Sequence, residues 1–287
     1  MSQAPFVQFR RGRAPRDEAT RWEASRRPAL LHRWAWLPVL VVGFVLYGIV
    51  ERTLVRTGNA NFVPSLILLG ALTVPVAFVA LIHGRAAVWT VSPAVLFCAA
   101  VFGGVIGTVT AGSVEFDTLR RLGVLPTFGV GLIEEAAKLI VPLALLMLGT
   151  RVAGRANGLM VGVTVGMAFA ALETMGYAFV ALLQTGGDLS SVDQVLLVRG
   201  LLSPAGHAAW TGLACASLYR KPVERGYPWW RVFVTFLLVV VLHGLWDSGS
   251  GLLWYAVLSL VSLGLLWWQA RRLPADPALP PAGSLRG

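Results

Sequence analysis

The stretch NGLMVGVTVGMAFAALETMGYAFVALLQ, residues 157–184, decides the fold of this chain. Its only acidic or basic residue is Glu173. About 20 consecutive apolar residues allow an α-helix to cross the roughly 30 Å hydrocarbon core of a bilayer. The stretch therefore predicts a transmembrane helix. Because a carboxylate inside hydrocarbon is unfavourable and usually functional, Glu173 also predicts a buried polar site.

Seven further apolar runs continue this pattern along the chain. Together they predict eight spans, at residues 34–50, 62–82, 88–111, 124–149, 157–184, 194–218, 231–248 and 251–269. Seven spans, with one merged or re-entrant, is the competing count. The chain is 56% hydrophobic and 13% charged, whereas soluble domains have roughly 45–50% apolar and about 25% charged residues. The predicted fold is therefore an all-α, polytopic membrane helix bundle.

The basic residues are unevenly divided between the predicted loops. With the N-terminus in the cytoplasm, eighteen Lys and Arg fall in cytoplasmic segments, and only Arg52, Arg56, Arg120 and Arg121 fall outside. By the positive-inside rule both termini are predicted to be cytoplasmic. The net charge of +10 is interpreted as loop charge facing the anionic lipid bilayer, so no nucleic-acid partner is expected.

Three segments follow from these boundaries. Residues 1–33 are predicted to be a disordered basic cytoplasmic tail without a secretory signal pattern, and residues 271–287 a second disordered cytoplasmic tail. Residues 34–270 form the integral membrane domain. The predominance of Arg over Lys is common in GC-rich genomes, so a bacterial plasma (inner) membrane is the expected location.

Ionisable residues are concentrated in predicted spans four to seven. They are Glu134, Glu135, Lys138, Glu173, Arg199, His207, His243 and Asp247. No acidic residue falls inside the first three predicted spans. Since one charge at the bilayer centre costs about 2.5–3.5 kcal/mol on insertion scales, the concentration indicates one shared site.

Helical spacing sorts these residues. Glu134 and Lys138 are four apart, which predicts an ion pair on one face. Glu135 is turned about 100° away and is expected to face a different neighbour. His243 and Asp247 are also four apart, so the carboxylate can orient the imidazole, as carboxylates do behind metal-bound histidines.

The charges of this set do not balance. With neutral histidines, its four carboxylates exceed Lys138 and Arg199 by two negative charges. Protons or a divalent cation would compensate them. Two histidines, one carboxylate and an open water position match a catalytic zinc site. Protonated carboxylates, or a proton relay in a transporter, are the alternatives, although no internal repeat of the transporter kind is evident.

Small residues recur every four positions in residues 157–184. Gly158, Gly162 and Gly166 follow this spacing. In lipid such a stripe lets two helix backbones approach closely. It therefore predicts a tight helix–helix contact beside Glu173.

Four segments in order carry a resemblance to a known family. They are residues 133–138 (IEEAAK), 169–173 (FAALE), 199–207 and 243–247 (HGLWD). Together they resemble the PrsW family of intramembrane proteases, within the superfamily of the CAAX prenyl endopeptidases, over roughly residues 35–270. Asp247 and Thr174 depart from this pattern, since many relatives have Asn at the equivalent positions.

The resemblance implies a membrane-embedded endopeptidase whose partner is a membrane protein substrate, typified by an enzyme that cuts a single-pass anti-sigma factor. Taken with the charge argument, it predicts that Glu173, His207 and His243 bind a divalent metal, zinc. Glu134 or Glu135 would then activate the water. Lys138, Arg199 and Asp247 are expected to support them. A CAAX-type or immunity-type relative and a proton-coupled transporter are the alternative functions.

Overall fold

The structure is a computed structural model that describes residues 33–85, 89–148, 154–219 and 229–273. These residues form helices and contain no β-strand. The helices are α1 (Trp36–Thr57), α2 (Val63–Arg85), α3 (Pro93–Leu122), α4 (Thr127–Lys138), α5 (Ile140–Met147), α6 (Arg155–Gln184), α7 (Leu189–Leu202), α8 (Ala209–Leu218), α9 (Trp230–Ser248) and α10 (Leu252–Arg271). A 3₁₀ turn (Ala60–Phe62) precedes α2, and a π-helical turn (Pro204–Ala208) joins α7 to α8.

Six helical stretches in the described part of the chain are long and apolar enough to cross a membrane. They are α1, α2 with its preceding turn, α3, α6, α9 and α10. This confirms the prediction of an all-α, multi-pass membrane protein. The predicted fourth and sixth spans each contain an interrupted helix, so the count of eight spans and the cytoplasmic placement of both termini stay predictions.

Pro142 explains the interruption between α4 and α5. A proline inside a helix has no amide hydrogen, and its ring collides with the carbonyl four residues earlier, here that of Lys138. The helix accordingly ends at Lys138 and restarts at Ile140. The carbonyl of Pro142 accepts a hydrogen bond from the Tyr219 hydroxyl at 2.6 Å. The break lies directly after the three ionisable residues of α4.

The interruption between α7 and α8 is a π-helical turn that begins at Pro204. Within it the amide of Ala208 donates to the carbonyl of Ser203 at 3.4 Å, a bond that spans five residues. Such turns are rare and occur frequently at functional sites. The turn contains His207 and directs this residue toward the centre of the bundle, where it contacts Lys138 and Glu173.

Helix α6 lies at the centre, with sixteen of its thirty residues buried. Its glycine stripe packs on α8 and the π-helical turn. A Cβ atom on Gly158, Gly162 or Gly166 would collide with the backbone carbonyl of Cys215, Thr211 or His207, respectively. The predicted close approach of two helices is therefore present, and it brings α6 against His207 itself.

Helix α3 is longer than predicted. The predicted span ended at residue 111, whereas the helix continues to Leu122 and stops where Gly123 adopts a left-handed conformation with φ 71°. The apolar run ends before the helix does, because residues 113–122 alternate between polar and apolar side chains. The expectation that the first three spans lack acidic residues is therefore wrong for this helix, which carries Glu115 and Asp117.

The two predicted tails lie outside the described residues, apart from Arg33 and residues 271–273. Their disorder and their cytoplasmic location stay predictions.

Candidate active site

Helix α4 contributes an ion-pair cluster. The ammonium of Lys138 lies 3.0 Å from Glu134 Oε2 and 2.8 Å from Glu135 Oε1. Lys138 is fully buried, and Glu135 is 1% exposed. Glu135 does not face away from this lysine as expected, because a residue three positions earlier lies on the same helical face as one four positions earlier. One buried cation therefore serves both carboxylates.

Helix α9 adds His243 to this cluster. Its Nδ1 lies 2.9 Å from Glu135 Oε1. Because an ionised carboxylate only accepts hydrogen bonds, Nδ1 carries the hydrogen and Nε2 of the neutral ring keeps a lone pair. Nε2 lies 3.6 Å from Glu134 Oε2 and 3.5 Å from Asp247 Oδ2. Glu135, rather than the predicted Asp247, thus makes the short bond that orients His243.

The helices α4 and α9 can meet here because Gly131 has no side chain. A Cβ atom on Gly131 would lie 3.1 Å from both His243 Cβ and the Val240 carbonyl oxygen. The close approach places Glu135 and His243 within hydrogen-bonding distance. It is a tertiary requirement, so spacing along the sequence contains no signal for it.

His207 links α4 to α6. Its Nδ1 lies 2.8 Å from the Lys138 ammonium, and its Nε2 lies 3.0 Å from Glu173 Oε2. An ammonium only donates, so Nδ1 accepts, and the hydrogen of the neutral ring is on Nε2, which faces Glu173. The guanidinium of Arg199 also contacts Glu173 Oε2, at 2.8 Å through Nη2. Glu173 is therefore held between one imidazole and one guanidinium.

All eight ionisable residues predicted from the sequence belong to one network. Its contacts run from Asp247 through His243 and Glu135 to Lys138, and from Lys138 to the remaining members Glu134, His207, Glu173 and Arg199. Five separate elements contribute these residues: α4, α6, α7, the π-helical turn and α9. The spans that carry these residues therefore converge on one buried site.

Buried aromatic rings surround the network, and sequence reasoning missed them. The Trp210 ring lies 4.7 Å from the His243 ring, and the Phe169 ring lies 5.5 Å from the His207 ring. Both aromatic residues are at most 2% exposed. Such rings exclude water and lower the local dielectric constant, which strengthens electrostatic interactions. Phe169 lies one helical turn before Glu173, and Trp210 lies one turn after His207. This spacing was the signal in the sequence that both rings face the site.

Glu115 of α3 is a further carboxylate that the sequence analysis missed. Its Oε1 atom is buried and has no hydrogen-bond partner among the described residues. It lies within electrostatic range of Glu134 and Glu173. Ala111, one turn earlier, packs against Ala137 and Phe169, so this face of α3 points toward the site. When ionised, Glu115 would add to the negative charge there.

The donor atoms of the site fit a divalent cation. Glu134, Glu173 and His207 can each offer one ligand atom, and the three atoms lie within 4.8 Å of one another. Carboxylates and imidazole are suitable zinc ligands. Glu135 Oε2 is in addition buried without a hydrogen-bond partner in the described part of the chain. The predicted ligand set had His243 in place of Glu134, and these two residues are neighbours.

Comparison with known proteins identifies the family. The model of the PrsW family intramembrane metalloprotease matches residues 75–269, about two thirds of the chain, and this range contains every residue of the network. No curated protein matches the chain. No solved structure matches it either. The resemblance inferred from the sequence is confirmed: the chain belongs to the PrsW family of intramembrane metalloproteases.

Proposed function

We propose that this metalloprotease cleaves a peptide bond of a membrane protein substrate at the network centred on Lys138. The observation that supports this most is the convergence of eight ionisable residues from five elements inside an apolar bundle. Ionisable groups are unfavourable in such an interior unless they serve a function. By family analogy the substrate is a single-pass anti-sigma factor, and the location is a bacterial plasma membrane with both termini in the cytoplasm.

Glu173, His207 and His243 are the proposed metal ligands. Glu135 fixes the Nδ1–H tautomer of His243 and leaves Nε2 available, an arrangement typical of metal-binding histidines. His207 Nε2 and Glu173 Oε2 are already adjacent, at 3.0 Å. Metal binding at Nε2 would require its hydrogen to move to Nδ1, which would end the contact between Nδ1 and Lys138. A divalent metal such as zinc, when bound, would polarise the scissile carbonyl and favour the formation of hydroxide from water near neutral pH.

Glu134 is the proposed general base. It is 7% exposed, against 1% for Glu135, and the Oε1 atom of Glu135 already accepts from both Lys138 and His243. Glu134 Oε2 therefore takes the proton from the attacking water and donates it to the nitrogen of the departing amine. Lys138 stabilises the ionised form of Glu134 before the water is deprotonated.

Three residues act by positioning. Glu135 orients the ring of His243, and Asp247 contacts the same ring from the other side. Arg199 holds Glu173 through Nη2. Loss of Glu135 or Asp247 would remove a contact that orients the ring of His243, and loss of Arg199 would leave Glu173 with His207 as its remaining partner.

Metal analysis of the full-length protein, purified in detergent, tests the ligand assignment. We expect one bound metal ion per chain, and chelator-sensitive cleavage of a single-pass membrane protein in proteoliposomes. His207→Ala and His243→Ala should lose both metal and cleavage. Glu134→Gln should keep the metal and lose cleavage.

Two results would contradict these roles. If Glu134→Gln loses the metal and His243→Ala retains it, Glu134 is the third ligand and not the base. If a proton gradient drives solute uptake by the wild type while no membrane substrate is cut, the chain acts as a transporter.

A further inference from the structure

A cavity of about 160 Å³ lies beside the network, between α7, the π-helical turn, α8, α9 and α10. Its lining includes Arg199, Leu202, His207, Trp210, Trp246 and Tyr255. We refer to it as the aromatic cavity. Because His207 and Arg199 belong to both the cavity and the network, a group that fills the cavity contacts residues of the proposed active site.

The aromatic cavity also connects the network with the surface of the bundle. The side chain of Arg199 is 30% exposed and that of His207 is 12% exposed, whereas Lys138 and Glu135 are at most 1% exposed. A substrate segment that approaches the network from this side therefore meets the aromatic cavity before it reaches the buried carboxylates.

One side of the aromatic cavity consists of aromatic rings, opposite the polar residues Arg199, Ser203 and His207. The Trp246 ring packs against Trp210, with centroids 5.8 Å apart, and against Tyr255, with centroids 4.9 Å apart. The indole of Trp210 donates to Ser262, and the hydroxyl of Tyr255 donates to the Gly249 carbonyl. Because these polar groups are already bonded to other partners, the rings offer apolar contact to a ligand.

Arg199 provides a polar group beside these walls. Its Nη2 is engaged by Glu173, and its guanidinium stacks over the Tyr177 ring at 4.0 Å. Its Nε is buried and has no hydrogen-bond partner among the described residues. This donor matches a main-chain carbonyl of a peptide whose side chain enters the cavity.

The volume limits the size of the occupant. An apolar protein cavity of about 150 Å³ binds benzene. The aromatic cavity therefore suits one side chain of the size of Phe, Leu or Met, and the larger indole of Trp would fit less well. A carboxylate would lose its hydration against the aromatic walls, while the nearby Arg199 is already paired with Glu173.

We propose that the aromatic cavity is a specificity subsite, which binds one apolar side chain of the substrate at a position directly flanking the scissile bond. The inference rests on the proposed function. Among the cavities in the described part of the chain, the one lined by Phe44, Tyr47 and Asp193 is of similar size, at about 180 Å³. It contains no residue of the network, so its occupant would not contact the reacting bond.

A substrate series tests the subsite. The cleavage site of a single-pass substrate is first located by mass spectrometry, and each flanking residue is then replaced by Ala, Leu, Phe, Trp or Asp. At one of the two positions we expect kcat/KM for Leu or Phe to exceed that for Ala by roughly 10-fold or more. Trp and Asp should be rejected at the same position.

Enlarging the aromatic cavity should change this preference. In Trp246→Ala, the ratio of kcat/KM for Trp to that for Phe should rise at least 10-fold. Tyr255→Ala enlarges the same cavity from α10 and provides a second variant if Trp246→Ala does not fold. Trp230→Ala is the matched control, because Trp230 lies on the same helix but is 58% exposed at its far end.

The outcomes separate the two proposals. If the wild type cuts the substrates and the enlarged variants keep its preference, the subsite is wrong while the protease function stands. If Trp230→Ala shifts the preference as much as Trp246→Ala, the subsite is also wrong. If the wild type cuts no substrate in the series, the proposed function fails and the subsite fails with it.

Discussion

Helices α1 and α6 are both apolar enough to cross a membrane, yet the protein uses them differently. Leu54 is the only buried residue of α1, whereas more than half of α6 is buried. Lipid-facing side chains such as Val41 and Val45 are over 50% exposed in α1. Hydropathy therefore predicts that both helices lie in the membrane, but it does not predict which other helices they pack against.

Small and ionisable residues make the difference between the two helices. In α6 the glycine stripe lies against the backbone of α8, and Glu173 joins the network. In α1, a Cβ atom added to Gly48 would meet no other atom within 4 Å, and Gly43 lies against the side chain of Thr73 on α2 rather than against a helix backbone. Helix α1 also lies outside the segment matched by the family model, which begins at residue 75.

The largest effect on stability is expected for Lys138→Met in the central region. This change leaves Glu134 and Glu135 without their shared cation, and breaking a buried ion pair costs about 3–5 kcal/mol. Unfolding followed by circular dichroism in detergent measures the loss. Arg52→Met on α1 is the control and should have little effect, because exposed charges contribute little. Equal stability of the two variants would contradict a buried ionic centre.

A smaller effect is expected from one methyl group placed on each helix. Gly166→Ala forces a Cβ atom against the His207 carbonyl, and overpacking of this kind typically costs about 1–3 kcal/mol. Gly48→Ala should be neutral or stabilise α1 by up to about 1 kcal/mol, since Ala is the better helix former. Thermal unfolding of both proteins measures the contrast. If the two variants have the same stability relative to the wild type, the close contact between α6 and the π-helical turn does not form.

The attachment of α1 to the catalytic region offers a third comparison. The Tyr47 hydroxyl donates a hydrogen bond to Asp193 of α7. Tyr47→Phe should lower the free energy of unfolding by about 0.5–1.5 kcal/mol, the net value of one hydrogen bond, and leave cleavage unchanged. Loss of cleavage in a stably folded Tyr47→Phe protein would show that α1 belongs to the active site.

The smallest effect concerns the exposed start of α7. Asp188 caps this helix, and hydrogen bonds from Ser191 and Ser190 lower its pKa to about 2. Its contribution to stability is therefore fully present above the ordinary Asp pKa of about 3.9 and is lost as the pH falls through about 2. The difference in the free energy of unfolding between the wild type and Asp188→Asn should therefore be the same at pH 7 and at pH 5. A difference that grows within that range would contradict the lowered pKa.

Much of the site could be predicted from the sequence because its residues are ionisable and lie in apolar runs. The pairing of Glu134 with Lys138 followed from spacing along one helix. The bond between Glu135 and His243 did not, because it joins residues 108 positions apart and depends on the close approach of α4 and α9 at Gly131. Spacing instead favoured Asp247, which lies on the same helix as His243 but contacts it at 3.5 Å.

Helix boundaries were predicted less well than helix identity. Pro142 and Pro204 were visible in the sequence, but whether a proline bends, breaks or widens a helix depends on which groups satisfy the freed backbone. Neither the partner of the freed Lys138 carbonyl nor the hydrogen bond that the Tyr219 hydroxyl donates to the Pro142 carbonyl can be read from the sequence. Glu115 was missed because apolar length sets a span boundary, whereas α3 continues beyond its apolar run.

The most direct measurement compares two glutamates, one from each region. Cleavage of a single-pass membrane substrate is measured in proteoliposomes for Glu134→Gln and for the control Glu51→Gln on α1, each with its fold verified by thermal unfolding. A positioned general base typically contributes about 10²–10⁴-fold to the rate. We expect a loss of that size for Glu134→Gln and a wild-type rate for Glu51→Gln. Wild-type cleavage by a folded Glu134→Gln protein would contradict the proposed active site.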